Sequence, residues 1–172
     1  MIYPNAHVDY MMYEDGGELI GVGKVTMPPL KYKTVTATGA GLMGDATIPL
    51  ASMIEAMTVN INFTSVTDAI VKLGSNRWHD VAVYVADQYF DSVSRTEEIE
   101  QVRFEMSIRP IETNHGTIAT ASAADASGVY SVCKYTVYKN GEKVVDIDQF
   151  NQIHEIDGED CAANVRKAIG LM

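Results

Sequence analysis

From Met57 to Thr64 the chain alternates without interruption. Met57, Val59, Ile61 and Phe63 fall on one face, and Thr58, Asn60, Asn62 and Thr64 on the other. A period of two marks a strand with one face on a core and the other in water. The same period predicts a strand over Glu98–Arg109, where Val102, Phe104, Met106 and Ile108 share a face. Val81–Phe90, rich in Val and Tyr, is another, and Leu19–Met27 is a further one, stopped by Pro28-Pro29. Leu30–Thr38 sets Tyr32, Thr34 and Thr36 against Lys31, Lys33 and Val35, a β pattern with polar residues on both faces. Val129–Tyr138 and Glu142–Gln152 flank Asn140-Gly141, the dipeptide that a type I′ hairpin turn requires because both central residues need positive φ.

Helical signals are few. Ser65-Val66-Thr67-Asp68 fits a capping box with Ser65 as N-cap, continued by Ala69–Leu73 and stopped by Gly74. Asp157-Gly158-Glu159-Asp160 places acids in the first turn of a C-terminal helix, with Arg166 and Lys167 in its last turn and Gly170 at its end. Residues 1–18 read as a semi-ordered arm closing in a turn at Gly16-Gly17, and Thr113–Ser127, rich in Ala, Thr, Ser and Gly, supports no assignment. About seven strands that do not alternate with long helices exclude a parallel βαβ architecture. The expected class is mainly β (α+β): an antiparallel β-sandwich or barrel with a short central helix and a C-terminal helix, in a single domain spanning residues 1–172.

Composition narrows the functions. The net charge of −10 argues against a nucleic-acid binder, which needs clustered Lys and Arg. Cys133 and Cys161 are the only cysteines and lie in no C-x-x-C pair, so a reducing compartment is expected. No signal peptide and no apolar run of membrane-spanning length is present, and a product made and kept in the cytoplasm is the expectation.

Chemistry-bearing motifs fail one by one. Gly39-Ala40-Gly41-Leu42-Met43-Gly44 matches the dinucleotide-binding spacing, but that motif needs a buried strand before it and a helix after it. Here the preceding strand is polar and Pro49 stands where the second helical turn would be. From Asp146, the calcium-loop positions five and six are Phe150 and Asn151, which excludes an EF-hand. His7, His79, His115 and His154 lack metal-ligand spacing, and no serine sits in a G-x-S-x-G elbow. Cys133 and Cys161 read as buried structural thiols, and Trp78 as a partly buried anchor at the turn from helix to strand. No catalytic set, no metal site and no cofactor is expected.

Several segments taken in order resemble the tail tube proteins of contractile-tailed bacteriophages. In the first half these are Met27-Pro28-Pro29-Leu30, the Gly39–Gly44 loop, Pro49-Leu50 and Glu55-Ala56-Met57-Thr58. Arg95-Thr96 before the Val102–Arg109 strand is also similar. In the second half they are Lys134-Tyr135-Thr136-Val137, Asn140-Gly141-Glu142, Asp146-Ile147-Asp148, Asp157-Gly158-Glu159-Asp160 and Arg166-Lys167-Ala168-Ile169-Gly170-Leu171. The resemblance covers most of residues 20–171; the arm at 1–18 and the stretch at 113–127 depart from it. It implies a β-sandwich or barrel subunit without enzymatic activity. Hexameric rings of it would stack into a hollow tube inside a contractile sheath, with baseplate and tail terminator proteins as further partners and no membrane partner. DNA would pass through the lumen without specific binding, conducted into the host when the sheath shortens. The protein would then be part of a virion tail, assembled in the host bacterial cytoplasm. A tube of a phage-derived bacteriocin or type VI-like secretion particle is the alternative, and a monomeric small-ligand-binding β-barrel is the alternative of another class.

In that reading residues 38–50 form a Gly-rich assembly loop, with Gly39, Gly41 and Gly44 as hinges and Leu42 and Met43 as its apolar tip. The Leu30–Thr38 strand would suit an inner wall facing a wet lumen, and the negative charge would keep DNA from adhering.

Overall fold

The computed structural model describes residues 2–14, 17–21, 23–64, 66–122 and 124–171. Among them the strands are β1 (Ile2–Glu14), β2 (Glu18–Ile20), β3 (Lys24–Thr26), β4 (Tyr32–Ala37), β5 (Ala46–Ile54) and β6 (Met57–Phe63). After the helix α1 (Asp68–Leu73) come β7 (His79–Asp91), β8 (Thr96–Asn114), β9 (Ala126–Lys139), β10 (Glu142–Asp148), β11 (Ile153–Ile156) and β12 (Glu159–Asp160), then the helix α2 (Ala163–Ala168). Every pairing is antiparallel, so the mainly β class read from the sequence is the class observed. The main sheet runs β12-β11-β10-β9-β8-β7-β1-β2, with β6 joining β9 and β3 joining β6. Among the described residues β4 and β5 pair only with each other.

The core follows from the alternation. Met57, Val59, Ile61 and Phe63 of β6 are buried, and they meet Met12, Ile20, Val81, Val83, Met106, Ile108, Tyr130, Val132, Tyr135 and Ile147. Ile70 and Leu73 seal this core from α1. Fully burying each such side chain contributes about 1.5–3 kcal/mol. One strand belongs to both walls around it. β9 pairs with β8 along its length, but its other edge is held by β6 from Ala126 to Val132 and by β10 from Lys134 to Lys139. Cys133 lies at the irregularity between these halves, since β8 passes from Ser107 to Ile108 while β9 passes from Lys134 to Val132. The extra residue reverses the alternation: Ala126, Tyr130 and Val132 face inward before it, Tyr135 and Val137 after it.

Several expectations need correction. Residues 2–14 form a strand paired with β7 rather than a loose arm. Tyr10, Met12 and Glu14 keep a period of two, but an inward acid and two register shifts, at Pro4/Ala6 and His7/Asp9, disguise it. The expected strand Leu19–Met27 divides into β2 and β3. Ser65 lies outside the described residues; α1 begins at Asp68 with Thr67 at its N-cap and no side-chain capping bond, so Asp68 opens the helix instead of closing a capping box. Asp157-Gly158 is the turn between β11 and β12, with φ 51° and 78°, and α2 starts only at Ala163. The acids that were to open that helix therefore sit in a hairpin. Cys161 is exposed and Cys133 half-buried, neither an enclosed thiol.

Candidate assembly surface

The β4–β5 hairpin stands apart from the main sheet. Its loop is shorter than residues 38–50: Ala46–Leu50 already belongs to β5, because Thr34, Val35, Thr36 and Ala37 pair with Pro49, Ile48, Thr47 and Ala46. Pro49 is tolerated because this strand has an edge with no ladder to complete. What remains is Thr38–Asp45. Gly41 and Gly44 hold φ of 96° and 110°, values that L side chains rarely adopt. Between them Leu42 is about half-exposed and Met43 is fully exposed. A strand, not a helix, follows Gly44, so no helix N-terminus meets this loop and a phosphate cradle is not formed.

The hairpin is apolar as well as exposed. Val35, Ile48, Leu50 and Met53 all face solvent. It is fastened at its base. Tyr32 Oη lies 3.2 Å from His154 Nε2 with the rings 5.6 Å apart, Glu55 N donates to Lys31 O at 2.8 Å, and Gln149 Nε2 donates to Glu55 O at 3.2 Å. Near the base β5 bulges: Tyr32 pairs with Ile54 but Thr34 with Pro49, leaving Leu50–Met53 opposite a single residue. Ser52, at φ 56°, sits in this bulge, and its Oγ donates to Cys161 O. Burial holds the His154 imidazole below its ordinary pKa, against a smaller opposing pull from Asp160, so the ring is neutral.

Beside this base lies a groove of about 360 Å³ between the end of β5, the β10–β11 turn and α2, lined by Met53, Ile54, Ile147, Ile153, Val165 and Ile169 among others. Asp148 also lines it, but its carboxylate accepts from Phe150 N, Asn151 N and Asn151 Nδ2.

A second open feature is the edge of β1. β7 holds one side of it, while β2 covers only Met12–Glu14 on the other. Among the described residues no strand pairs with the free side of 2–11, where Ile2, Tyr3, Val8 and Met11 are exposed. Across β1, β7, β8 and β9 lies an open hollow of about 990 Å³ with a mixed lining, in which Met11, Tyr13, Val85 and Ile99 stand beside charged side chains. Asp9, Asp80, Glu105 and Lys134 line it. On the same face Arg103 pairs with Glu105 at 3.2 Å and lies over the Tyr138 ring at 4.1 Å.

The Asn140-Gly141 turn joins β9 to β10 with φ of 50° and 85°, at the end of β10 opposite the Ile147 and Asp148 that line the groove. The four histidines do not converge: His7 pairs with Asp87, His79 with Glu14 and His154 with Tyr32. Among the described residues no group of three or more His, Cys, Asp or Glu could hold a metal ion. No helix among them is long and apolar enough to cross a membrane.

One arrangement escaped the sequence reading. Glu14 Oε1 lies 2.7 Å from His79 Nδ1, and His79 Nε2 lies 3.1 Å from Ser75 Oγ. The order of groups is that of a hydrolase triad, but the Ser75 hydroxyl donates to Lys72 O at 2.7 Å and accepts from Arg77 Nε at 3.2 Å. Its proton is thus directed away from the imidazole that would have to remove it. Lys72 Nζ, 3.1 Å from Glu14, completes the cluster from the surface as a clasp of β1, α1 and β7. No local signal announces it, since its acid and its histidine are 65 residues apart.

Comparison with known proteins bears on this surface. The family model described as phage tail tube protein FII matches residues 5–170. The tail tube protein of Escherichia phage P2 is 26% identical over 169 residues, covering 93% of this chain and 94% of that one. Among solved structures, a chain of the extended sheath–tube complex of an extracellular contractile injection system superposes with TM-score 0.57 at 14% identity, over 79% of this chain and 92% of that chain. A chain of the anti-feeding prophage tube-terminating cap gives 0.56 at 13%, over 79% and 91%. At these identities the two structures show the shared fold.

Proposed function

The chain belongs to the phage tail tube protein FII family, and from that premise we propose that it is a non-enzymatic structural subunit whose hexameric rings stack into the tube of a contractile tail. The observation that carries this reading is the pair of open features on one subunit: an exposed apolar hairpin and an unpaired strand edge. On a monomer both are hazards, because free edges and apolar patches drive uncontrolled association. On a ring subunit they are the contacts. The β1 edge offers a neighbour main-chain hydrogen bonds in the manner of strand addition, and the hairpin extends beyond the subunit's own sheet.

The sheath surrounds the tube in this proposal, and terminator and baseplate proteins close its ends. DNA is the cargo: the relative over 93% of the chain is a phage protein. The face of β1, β7, β8 and β9, whose hollow carries Asp9, Asp80 and Glu105, suits the lumen wall better than β4 does, since the hairpin carrying β4 displays Val35, Ile48 and Leu50. Acids on that wall, with Arg103 tied to Glu105 and Tyr138, leave few free cations to hold a phosphate backbone. The absence of catalysis is supported by the engaged Ser75 hydroxyl.

The test is negative-stain microscopy of the purified protein over a concentration series. Six-fold rings or tubes are expected, alone or on a baseplate. A strictly monomeric protein at high concentration, building neither, overturns the reading.

A further inference from the structure

Above its base, neither face of the β4–β5 hairpin is packed against the body: residues 32–36 of β4 and 46–51 of β5 are all exposed. A two-stranded ribbon is marginal by itself, so its direction is settled where it joins the rest of the subunit. Among the described residues, the side-chain hydrogen bonds at that junction run to one stretch of chain, residues 149–161. Tyr32 Oη meets His154 Nε2 at 3.2 Å, Ser52 Oγ donates to Cys161 O, and Gln149 Nε2 donates to Glu55 O at 3.2 Å.

That stretch is itself braced. Asp148 accepts from Phe150 N, Asn151 N and Asn151 Nδ2, which fixes the β10–β11 turn. Gln149 N donates to Cys133 O at 3.1 Å and anchors the turn to β9. Arg166 Nη1 donates to Gln152 O at 3.0 Å, and the same guanidinium holds Asp160, so α2 ties the turn to β12. Resting on the tube reading above, we infer that residues 148–166 form an alignment frame, and that Tyr32 and Ser52 are the positioning residues through which it fixes the angle of the hairpin for assembly.

The two fastenings divide the work between the strands, since Tyr32 belongs to β4 and Ser52 to β5. One contact would leave the ribbon free to turn about it; two, one on each strand, remove that rotation. Their receivers are also joined, because Cys161 N donates to His154 O at 2.8 Å. Ser52 holds φ at 56°, where glycine would sit without strain. A side chain in that region persists where its surroundings over-determine it, and such strain gathers at functional points. The hydroxyl that glycine lacks is the group that reaches the frame.

Spin-label distances test the frame. A Cys133→Ala, Cys161→Ser background keeps the Ser52 bond, because the acceptor is a backbone carbonyl. Labels on Val35→Cys in the hairpin and Thr58→Cys in β6 are measured by double electron–electron resonance on monomer isolated by size exclusion. A single narrow distance is expected there, and a distribution at least two-fold wider after Tyr32→Phe with Ser52→Gly, at an unchanged melting temperature. Ser52→Asn, which tolerates positive φ and keeps a donor, should leave the distribution narrow. Equal widths in the parent and the double variant, or a broad distribution already in the parent, overturn the proposal. Unlabelled Tyr32→Phe/Ser52→Gly should lower the assembled fraction at least ten-fold, and normal tubes from it also overturn the proposal. If the wild type builds tubes and the widths do not differ, only the frame falls; if the widths differ and the wild type builds no rings or tubes, the tube reading falls instead.

Discussion

Glu14 and His79 meet at 2.7 Å inside the protein, although one ends the first strand and the other begins the seventh. Burial pushes the Glu14 carboxyl upward, but hydrogen bonds from His79 and Lys72, with the charge of Lys72, outweigh it and leave it below the ordinary carboxylate value. Glu14→Gln should destabilise the fold by about 1–3 kcal/mol, because it removes the charge that accepts from buried His79 and half-buried Lys72. Urea titration measures this. The sign with pH follows: a depressed folded pKa stabilises above the unfolded value, about 4.3, and that contribution is lost as pH falls through the lower folded value. The Gln variant should lose less stability than the wild type on acidification below about pH 4.

His154 supplies a second pH dependence in another window. Its folded pKa is depressed by burial, so the unfolded chain binds the proton more readily. Stability is complete above about pH 6.5 and declines as pH falls from there through the folded value. Because the ring contacts Tyr32, the base of the hairpin should loosen first. Melting temperature followed from pH 7.5 to 5 should fall in the wild type and fall less in His154→Gln. Equal slopes would remove this residue from the account.

Gly128 and Tyr130 are bound by close approach. A Cβ at Gly128 would stand 2.3 Å from the Tyr130 hydroxyl oxygen and 2.5 Å from its ring. Gly128→Ala should therefore cost about 1–3 kcal/mol, as overpacking does. The Tyr130 hydroxyl is itself buried with no hydrogen-bond partner among the described residues, and burial raises its pKa to about 12. Tyr130→Phe should leave stability unchanged or raise it by about 1 kcal/mol, since it removes an unsatisfied buried polar group. Thermal unfolding separates the two substitutions cleanly.

Gly41→Val should act on assembly instead of folding. At φ 96° a β-branched residue is strained, yet the site has no neighbour to clash with, so the disturbance stays within the loop. Melting temperature within a few degrees of wild type, together with loss of stacked tubes by microscopy, is the expected result. Normal tubes would show that the loop's conformation does not govern stacking.

Replacing Asn140-Gly141 by Ala-Ala should do the reverse. Both positions hold positive φ between β9 and β10, and alanine disfavours it at each, by roughly 1 kcal/mol per residue. A lowered denaturation midpoint is expected, and any assembly defect should scale with that loss.

The sequence was most legible where one face meets the core and the other meets water. β6 needed nothing beyond its alternation, and the Asn140-Gly141 turn nothing beyond its two residue types. β1 was hidden because Glu14 occupies an inward position, acceptable only with His79 and Lys72 arriving from distant strands and a helix. The acids at 157–160 imitate a helix start because acids suit both a first turn and a tight hairpin, and short-range pattern does not separate these. The loop at Gly39–Gly44 was found by its glycines. The groove was not, since Met53, Ile147 and Val165 come from three separate elements and no spacing links them.

The shared strand β9 has a mechanical consequence. Its first half belongs to the wall built with β6 and its second to the wall built with β10, and covalent backbone joins them at Cys133. Force applied to one wall therefore reaches the other through peptide bonds, with no sliding interface to absorb it. Strain on the β6 side of the subunit is felt at once on the β10 side, and the two walls respond as one body.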